Sequence, residues 1–156
     1  VYYIPAGRVH SLGKGTMVVE VQETSDITYR IFDYNRKDKN GNLRQLHVAE
    51  ATDAIDFDDI SGEAKIDYQA TDNEQVKVVA SSKFTTSVYH LTAEVTCDYS
   101  HLDSFVILIC TEGTCQVVVD EAQETICAGE TVLLPAIAQS VKLIPSDTAT
   151  LLEVYS

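Results

Sequence analysis

Short strand-like segments dominate the part of this 156-residue chain that follows residue 61. They are rich in β-branched and aromatic residues, and turn sequences separate them at intervals of roughly 8–12 residues. The predicted strands are 64–69, 75–80, 85–95, 105–110, 115–119, 124–127, 131–134, 140–143 and 148–155. Strands at such regular spacing are typical of sandwiches and barrels, so this region predicts an all-β domain.

The first sixty residues carry a more mixed pattern. Residues 16–22 and 28–32 predict strands, and the polar stretch 35–42 with Asn40-Gly41 predicts a loop or a hairpin tip. Val48, Ala51 and Ile55 recur at a spacing of three to four, which predicts one short helix over 48–57.

The net charge of -13 argues against nucleic acid or an anionic membrane as a partner. The charge is uneven: residues 1–60 carry a net -3 and the remainder a net -10, so an anionic ligand would prefer the first segment. No apolar run reaches the ~20 residues of a membrane span, and no signal peptide is recognisable, so we expect a cytoplasmic location.

Four cysteines are too few for a disulfide scaffold, and no Cys-x-x-Cys pair indicates a structural zinc site. Cys110 and Cys115 flank a predicted hairpin turn at 111–114, so they could lie across from each other. The simpler expectation is that the cysteines are reduced and buried.

The chain opens with an apolar stretch that runs into Pro5-Ala6-Gly7, followed three residues later by His10. A Pro-Gly turn ends one strand and begins the next. His10 would then face whatever the first strand faces, which in a small barrel is the lumen. Two interpretations remain open: a metal ligand that binds through neutral imidazole, or a packed core histidine.

The opening pattern recurs near the other end of the chain. Pro135 stands 130 residues after Pro5, and at the same offset Ser140 occupies the position of His10. With three extra residues allowed, Glu20 corresponds to Glu153. The recurrence predicts two copies of one β-unit, of which only the first keeps an imidazole.

Six segments carry a more specific signal, in the same order along nearly the whole chain: residues 4–13, 20–34, 44–47, 51–57, 103–105 and 129–136. Together they resemble the type I mannose-6-phosphate isomerases of the short bacterial kind. The resemblance implies a cupin jelly roll (a double-stranded β-helix). Residues 1–60 would be the C-terminal part of the catalytic cupin barrel with its linking helix, and residues 61–156 a second, metal-free cupin barrel.

The resemblance also implies roles for individual residues. The family holds zinc with a Gln-x-His pair and a glutamate upstream, together with the histidine that matches His10. Arg30 matches the active-site arginine implicated in the isomerisation, and Glu20 is a candidate substrate-binding residue. The other three zinc ligands match nothing in this chain, so we expect the chain to be inactive alone. Read without the resemblance, Arg30 is a surface arginine paired with Asp26 or Asp33, and Glu20 is a solvated strand residue.

The implied reaction interconverts mannose 6-phosphate and fructose 6-phosphate, so a hexose 6-phosphate is the expected substrate. Arg8, Lys14 and Arg36 are candidate contacts for its phosphate. The expected partners are the missing N-terminal part of the same protein and a second copy joined through an open barrel edge. The alternative is a non-enzymatic cupin module for sugar-phosphate sensing or assembly. An iron dioxygenase is disfavoured because no His-x-His pair is present.

Overall fold

The computed structural model describes residues 1–24, 27–59 and 64–156. The chain divides into two compact units, Tyr2–Ala64 and Lys65–Ser156, with Val1 belonging to the second. We call them the N-terminal unit and the C-terminal unit. No helix formed by the described residues is long and apolar enough to cross a membrane.

The C-terminal unit is all-β, as the sequence predicts, and contains seven strands. They are β1 (Val76–Ala80), β2 (Thr85–Leu91), β3 (Val95–Asp98), β4 (Val106–Val119), β5 (Ala122–Cys127), β6 (Thr131–Leu134) and β7 (Ser140–Tyr155). All pairings between named strands are antiparallel, and the main path of the sheet runs β1-β2-β7-β4-β5. β3 adds to β7 and β6 adds to β4.

The two long strands change partners along their length. The second half of β7 pairs with β2 and its first four residues pair with β3. Likewise, β4 pairs first with β6 and then with β5, while it runs beside β7 throughout. A strand shared between two sets of neighbours wraps the sheet around one core, which is the jelly-roll arrangement predicted from the sequence.

The predicted break at 111–114 is wrong, because β4 continues through it. The pairing of β4 with β7 shifts register between Cys110 and Glu112 and again between Gly113 and Cys115. Gly113 has φ +74°, and a Cβ at this position would lie 2.0 Å from the Thr148 carbonyl oxygen. Irregular register and a glycine bend a strand without ending it. The predicted strands 140–143 and 148–155 merge into β7 in the same way.

Alternation of side chains places one face of these strands in the core. Core positions of β7 include Val141, Leu143, Ala149 and Leu151, and the residue that follows each of them is exposed or half-buried. A smaller cluster of Val78, Val79 and Val88 lies on the opposite face of β1 and β2. Both faces of β2 are therefore buried, which is why its burial does not alternate.

Among its described residues, the N-terminal unit contains one helix, α1 (Val48–Ala54), and no strand. The helix is shorter than predicted: Ile55 takes extended backbone, although its N–H still bonds to the Ala51 carbonyl. The strands predicted at 16–22 and 28–32 do not form, and neither does the one predicted at 64–69. A strand requires a ladder of hydrogen bonds to a neighbour, and among the described residues no such ladder forms at 16–22 or 28–32. At 64–69 the pairing stays short: Val1 and Ile66 exchange two backbone hydrogen bonds, at 2.8 and 3.3 Å. The predicted hairpin tip is confirmed by an antiparallel bridge between Lys37 and Leu43.

The cysteines are free thiols, as expected, but Cys110 and Cys115 do not lie across from each other. They belong to the same strand and both side chains are buried. Cys110 faces Leu151, and Cys115 faces Pro145 on β7 and Ile126 on β5. Cys97 is also buried, but the expectation of burial is wrong for Cys127, which is exposed.

Candidate functional site

The opening turn of the N-terminal unit is held against the segment that follows α1. Gly7 has φ +85°, and a Cβ there would lie 2.9 Å from the Cβ and the backbone nitrogen of Asp56. The Gly7 carbonyl accepts the Asp56 N–H at 3.1 Å. Beside it, Arg8 donates Nε and Nη2 to the two carboxylate oxygens of Asp59, at 2.7 and 2.8 Å. The sequence offered Arg8 as a candidate phosphate contact, but its guanidinium is engaged with Asp59.

His10 follows this turn and is exposed. Its Nδ1 lies 3.0 Å from the Arg8 carbonyl oxygen, and because a carbonyl can only accept, this nitrogen carries the proton. In the neutral form of this tautomer Nε2 carries the lone pair, which is the form in which imidazole binds a metal. Among the residues that the structure describes, however, no group of three or more His, Cys, Asp or Glu side chains could hold a metal ion. The described residues supply one suitable zinc ligand and not a zinc site.

Arg30 is held in place by its main chain as well as by its side chain. Its N–H donates to His47 Nδ1 at 3.2 Å, and its carbonyl accepts the His47 N–H at 2.8 Å. The guanidinium donates Nη1 to the Gln45 carbonyl at 3.3 Å, and Nε lies 3.9 Å from Asp33. Of the two ion-pair partners considered from the sequence, Asp33 is within reach, and Asp26 lies outside the described residues.

Asp33 is the centre of the main charged cluster in this unit. It is 5% exposed, and Arg30, Arg36 and Arg44 all approach its carboxylate. Arg36 donates through both Nε and Nη2 to Oδ1, and Arg44 Nε lies 3.4 Å from Oδ2. Sequence reasoning named Arg36 but missed Arg44 as a charged partner. The concentration of basic residues between 30 and 44 was the available signal.

Glu20 is exposed, and no hydrogen bond or ion pair of the described residues involves its side chain. Nor does any described contact join His10, Glu20 and Arg30 to one another. The structure therefore places the three predicted site residues in the N-terminal unit without assembling them into a single contact network.

The C-terminal unit contains a second polar cluster, which the sequence analysis did not identify as a site. Glu153 is fully buried. Its carboxylate accepts one hydrogen bond from the Tyr99 hydroxyl, at 2.7 Å, and another from Gln75 Nε2. Ser87 lies opposite Glu153 in the ladder, and its buried hydroxyl has no hydrogen-bond partner among the described residues. The available signal was a glutamate at an inward position of an apolar strand, two residues after Leu151.

A cavity of about 270 Å³ lies next to this cluster. Its lining is mostly polar and includes Asn73, Gln75, Tyr89, Cys97, Tyr99 and His101. Burial raises the pKa of Tyr89, and the hydrogen bond that its hydroxyl accepts from the Cys97 thiol raises it further. Burial, together with the negative charge of Glu153, raises the pKa of Tyr99 as well. Both phenols therefore stay protonated; the Tyr99 hydroxyl donates to Glu153, and the Tyr89 hydroxyl accepts from the Cys97 thiol.

Comparison with known proteins gives an independent view of the chain. It is 29% identical over 135 residues to the mannose-6-phosphate isomerase ManA of Bacillus subtilis, a match that covers 86% of this chain. It is also 44% identical over 54 residues to the mannose-6-phosphate isomerase of Streptococcus mutans, covering 35% of this chain and 17% of that protein. The crystal structure of the mannose 6-phosphate isomerase from Bacillus subtilis superposes on 83% of this chain with a TM-score of 0.66 and 25% identity.

The chain is similar to mannose-6-phosphate isomerases. The resemblance stated from the sequence is thereby confirmed, and so is the cupin jelly-roll fold class. No protein-family model matches the chain. It spans 42% of the length of the Bacillus subtilis isomerase and 40% of the chain in the crystal structure, so most of such an enzyme has no counterpart in it.

Proposed function

We propose that this chain is the C-terminal portion of a zinc-dependent, cytoplasmic isomerase that interconverts mannose 6-phosphate and fructose 6-phosphate. In this proposal residues 1–60 complete the catalytic cupin barrel and residues 61–156 form the metal-free second barrel. The observation that carries the proposal is the similarity over 135 residues to an isomerase of which the chain spans only 42%.

Arg30 is the residue of this chain to which we assign a catalytic role. Aldose–ketose isomerisation moves a proton between C1 and C2 through an enediol, and negative charge develops on O1 and O2. A guanidinium stays protonated and offers a planar set of donors, which suits it to stabilise that charge. The contacts of Arg30 with Gln45 and His47 fix its position before substrate binds, which favours such a role.

His10 is the proposed zinc ligand of this chain, through Nε2. The hydrogen bond from Nδ1 to the Arg8 carbonyl supports this role because it selects the tautomer that leaves Nε2 unprotonated. Since the described residues provide one ligand, the remaining ligands would come from the missing part of the protein. No step of the reaction is assigned to the metal.

The test compares this chain alone with a fusion that supplies the missing part. The fusion joins, ahead of Val1, the part of the Bacillus subtilis isomerase that lies outside the stretch shared with this chain. We expect interconversion of mannose 6-phosphate and fructose 6-phosphate by the fusion and none by the chain alone. Robust turnover by the chain alone would show that it is self-sufficient, contrary to the proposal.

Three variants of the fusion separate the roles of the two residues. His10→Gln should lose both bound zinc and activity. Arg30→Lys should keep zinc and lose most of kcat, because it preserves the charge but not the guanidinium. Lys142→Gln, in the C-terminal unit, is the matched control and should behave like the parent fusion. A folded, zinc-loaded fusion that binds the sugar phosphate without converting it would support the alternative of a non-enzymatic sensing or assembly module.

A further inference from the structure

The cluster of Arg30, Asp33, Arg36 and Arg44, which we call the Asp33 arginine cluster, carries an excess of positive charge. A single carboxylate faces three guanidinium groups, so the cluster has a net charge of +2. Guanidinium groups stay protonated at any physiological pH. An excess of this kind in a folded protein attracts an anion.

The charge around the cluster contrasts with the rest of the molecule. The fifteen residues from 30 to 44 contain five of the eleven Lys and Arg residues of the chain and only two acidic residues, whereas the whole chain carries -13. An anion that is repelled elsewhere on this protein would be attracted to this segment.

The hairpin geometry brings the two outer arginines together. The antiparallel bridge between Lys37 and Leu43 closes the hairpin, and Arg36 and Arg44 stand just outside it on the two facing arms. Both contact the same buried carboxylate, so their guanidinium groups converge. The hairpin and the shared Asp33 carboxylate thus bring the side chains of Arg36 and Arg44 together.

The outer arginines also keep hydrogen-bond donors that point to solvent. The side chains of Arg36 and Arg44 are 62% and 43% exposed, against 23% for Arg30. A guanidinium has five N–H donors. Arg44 approaches Asp33 through Nε alone, and no contact of its two terminal nitrogens with a described residue is found. Asp33 therefore holds the guanidinium groups of Arg36 and Arg44 by some of their N–H donors, and the remaining N–H donors are available to a ligand.

We propose that the Asp33 arginine cluster is an anion site that binds the phosphate group of a hexose 6-phosphate, with Arg36 and Arg44 as its direct donors. Two convergent guanidinium forks match the tetrahedral array of phosphate oxygens, and a net charge of +2 matches a phosphate dianion. The identity of the sugar rests on the proposed function, whereas the binding of phosphate itself does not.

The first experiment titrates this chain with inorganic phosphate at low ionic strength and measures heat by calorimetry, with chloride as the comparison anion. We expect saturable phosphate binding that weakens about 10- to 100-fold in Arg36→Gln and in Arg44→Gln, the loss typical of a charged hydrogen bond. Lys142→Gln removes the same charge from an exposed ion pair with Glu94 in the C-terminal unit and should leave binding unchanged.

Further variants distinguish a built site from general attraction to positive charge. Arg36→Lys and Arg44→Lys keep the charge and lose the fork, so they should bind more weakly than the parent chain. Far-UV circular dichroism checks that each variant is folded. The proposal is overturned if the parent chain does not bind phosphate, if the arginine variants bind as well as the parent, or if Lys142→Gln weakens binding equally.

The second experiment uses the isomerase fusion and separates this inference from the proposed function. Arg44→Gln should raise the KM for mannose 6-phosphate and leave kcat nearly unchanged. An active fusion whose KM does not respond would overturn the inference and leave the isomerase function standing. An inactive fusion, with phosphate binding still abolished by the arginine variants, would overturn the function and leave the anion site standing.

Discussion

The two units of this chain contain similar apolar residues but bury them to very different extents. In the C-terminal unit Leu91, Leu108, Leu143 and Leu151 are all 0% exposed, enclosed by strands that pair on both sides. In the N-terminal unit Ala51 is the sole buried apolar residue among those described, and Met17 is 95% exposed. Apolar content alone does not make a core, because burial requires paired strands to close around it. The exposed apolar residues of the N-terminal unit support the proposal that residues 1–60 are part of a larger barrel.

The same contrast holds for the two buried carboxylates. Asp33 is surrounded by three cations at the surface of the N-terminal unit. Glu153 is held by a phenol and an amide inside the C-terminal unit. Excess cationic charge leaves the first cluster able to receive an anion, whereas the donors to the second cluster are neutral and mainly stabilise the fold.

The largest difference should appear when an apolar residue is truncated in each unit. Leu151→Ala should lower the free energy of unfolding by about 2–5 kcal/mol, because it leaves a cavity among fully buried neighbours. Met17→Ala should change it by less than about 0.5 kcal/mol. Urea denaturation followed by circular dichroism measures both, and equal effects would contradict the contrast between the units.

The polar interior of the C-terminal unit can be tested by removing one donor to Glu153. Tyr99→Phe should destabilise the chain by about 1–3 kcal/mol, because one oxygen of a buried carboxyl loses its partner. Tyr155→Phe is the matched control, since Tyr155 lines the same cavity and its hydroxyl makes no described hydrogen bond. If the two variants are equally stable, the Tyr99 hydrogen bond contributes little.

Alkaline pH should weaken the C-terminal unit. Burial raises the pKa of the Cys115 thiol to about 11, whereas the unfolded thiol ionises near its ordinary value of 9.0. Folding therefore favours the protonated thiol, and this contribution is lost as the pH rises from about 9 to 11. The expected loss is on the order of 2 kcal/mol. Urea denaturation at several pH values measures this loss. In Cys115→Ala the free energy of unfolding should depend less steeply on pH. If the slope is unchanged, other groups cause the loss.

The smallest predicted effect concerns the exposed thiol. Cys127 Sγ lies 3.2 Å from Glu130 Oε2, and this carboxylate raises the pKa of the thiol. Because the thiolate is the reactive form, Glu130→Gln should accelerate modification of Cys127 by a disulfide reagent several-fold at pH 8. Cys97, Cys110 and Cys115 should react only on unfolding, and their rapid modification in the folded chain would show that the core opens readily.

Local patterns were enough to predict most of the C-terminal unit. Alternating β-branched residues marked the strands, and Asn40-Gly41 marked the hairpin tip in the N-terminal unit. The prediction of a break at 111–114 failed because a turn-like sequence with Gly113 can also bend a continuous strand. The strands predicted at 16–22 and 28–32 failed for another reason: β propensity forms no ladder without a neighbouring strand.

In the candidate site, too, the sequence indicates single residues, whereas their contacts with residues distant along the chain depend on the fold. The sequence named His10 and Arg30 as candidates, through the turn that precedes His10 and through the resemblance to a known family, and their roles stay predictions. That Arg36 and Arg44 share the carboxylate of Asp33, and that Gln75 and Tyr99 meet at Glu153, was decided by tertiary structure. Gln75 and Glu153 are 78 residues apart, and the pairing of β1 with β2 and of β2 with β7 brings them within hydrogen-bonding distance. The sequence by itself thus determined the class of fold and the individual chemical groups, and the folded sheet decided which groups act on one another.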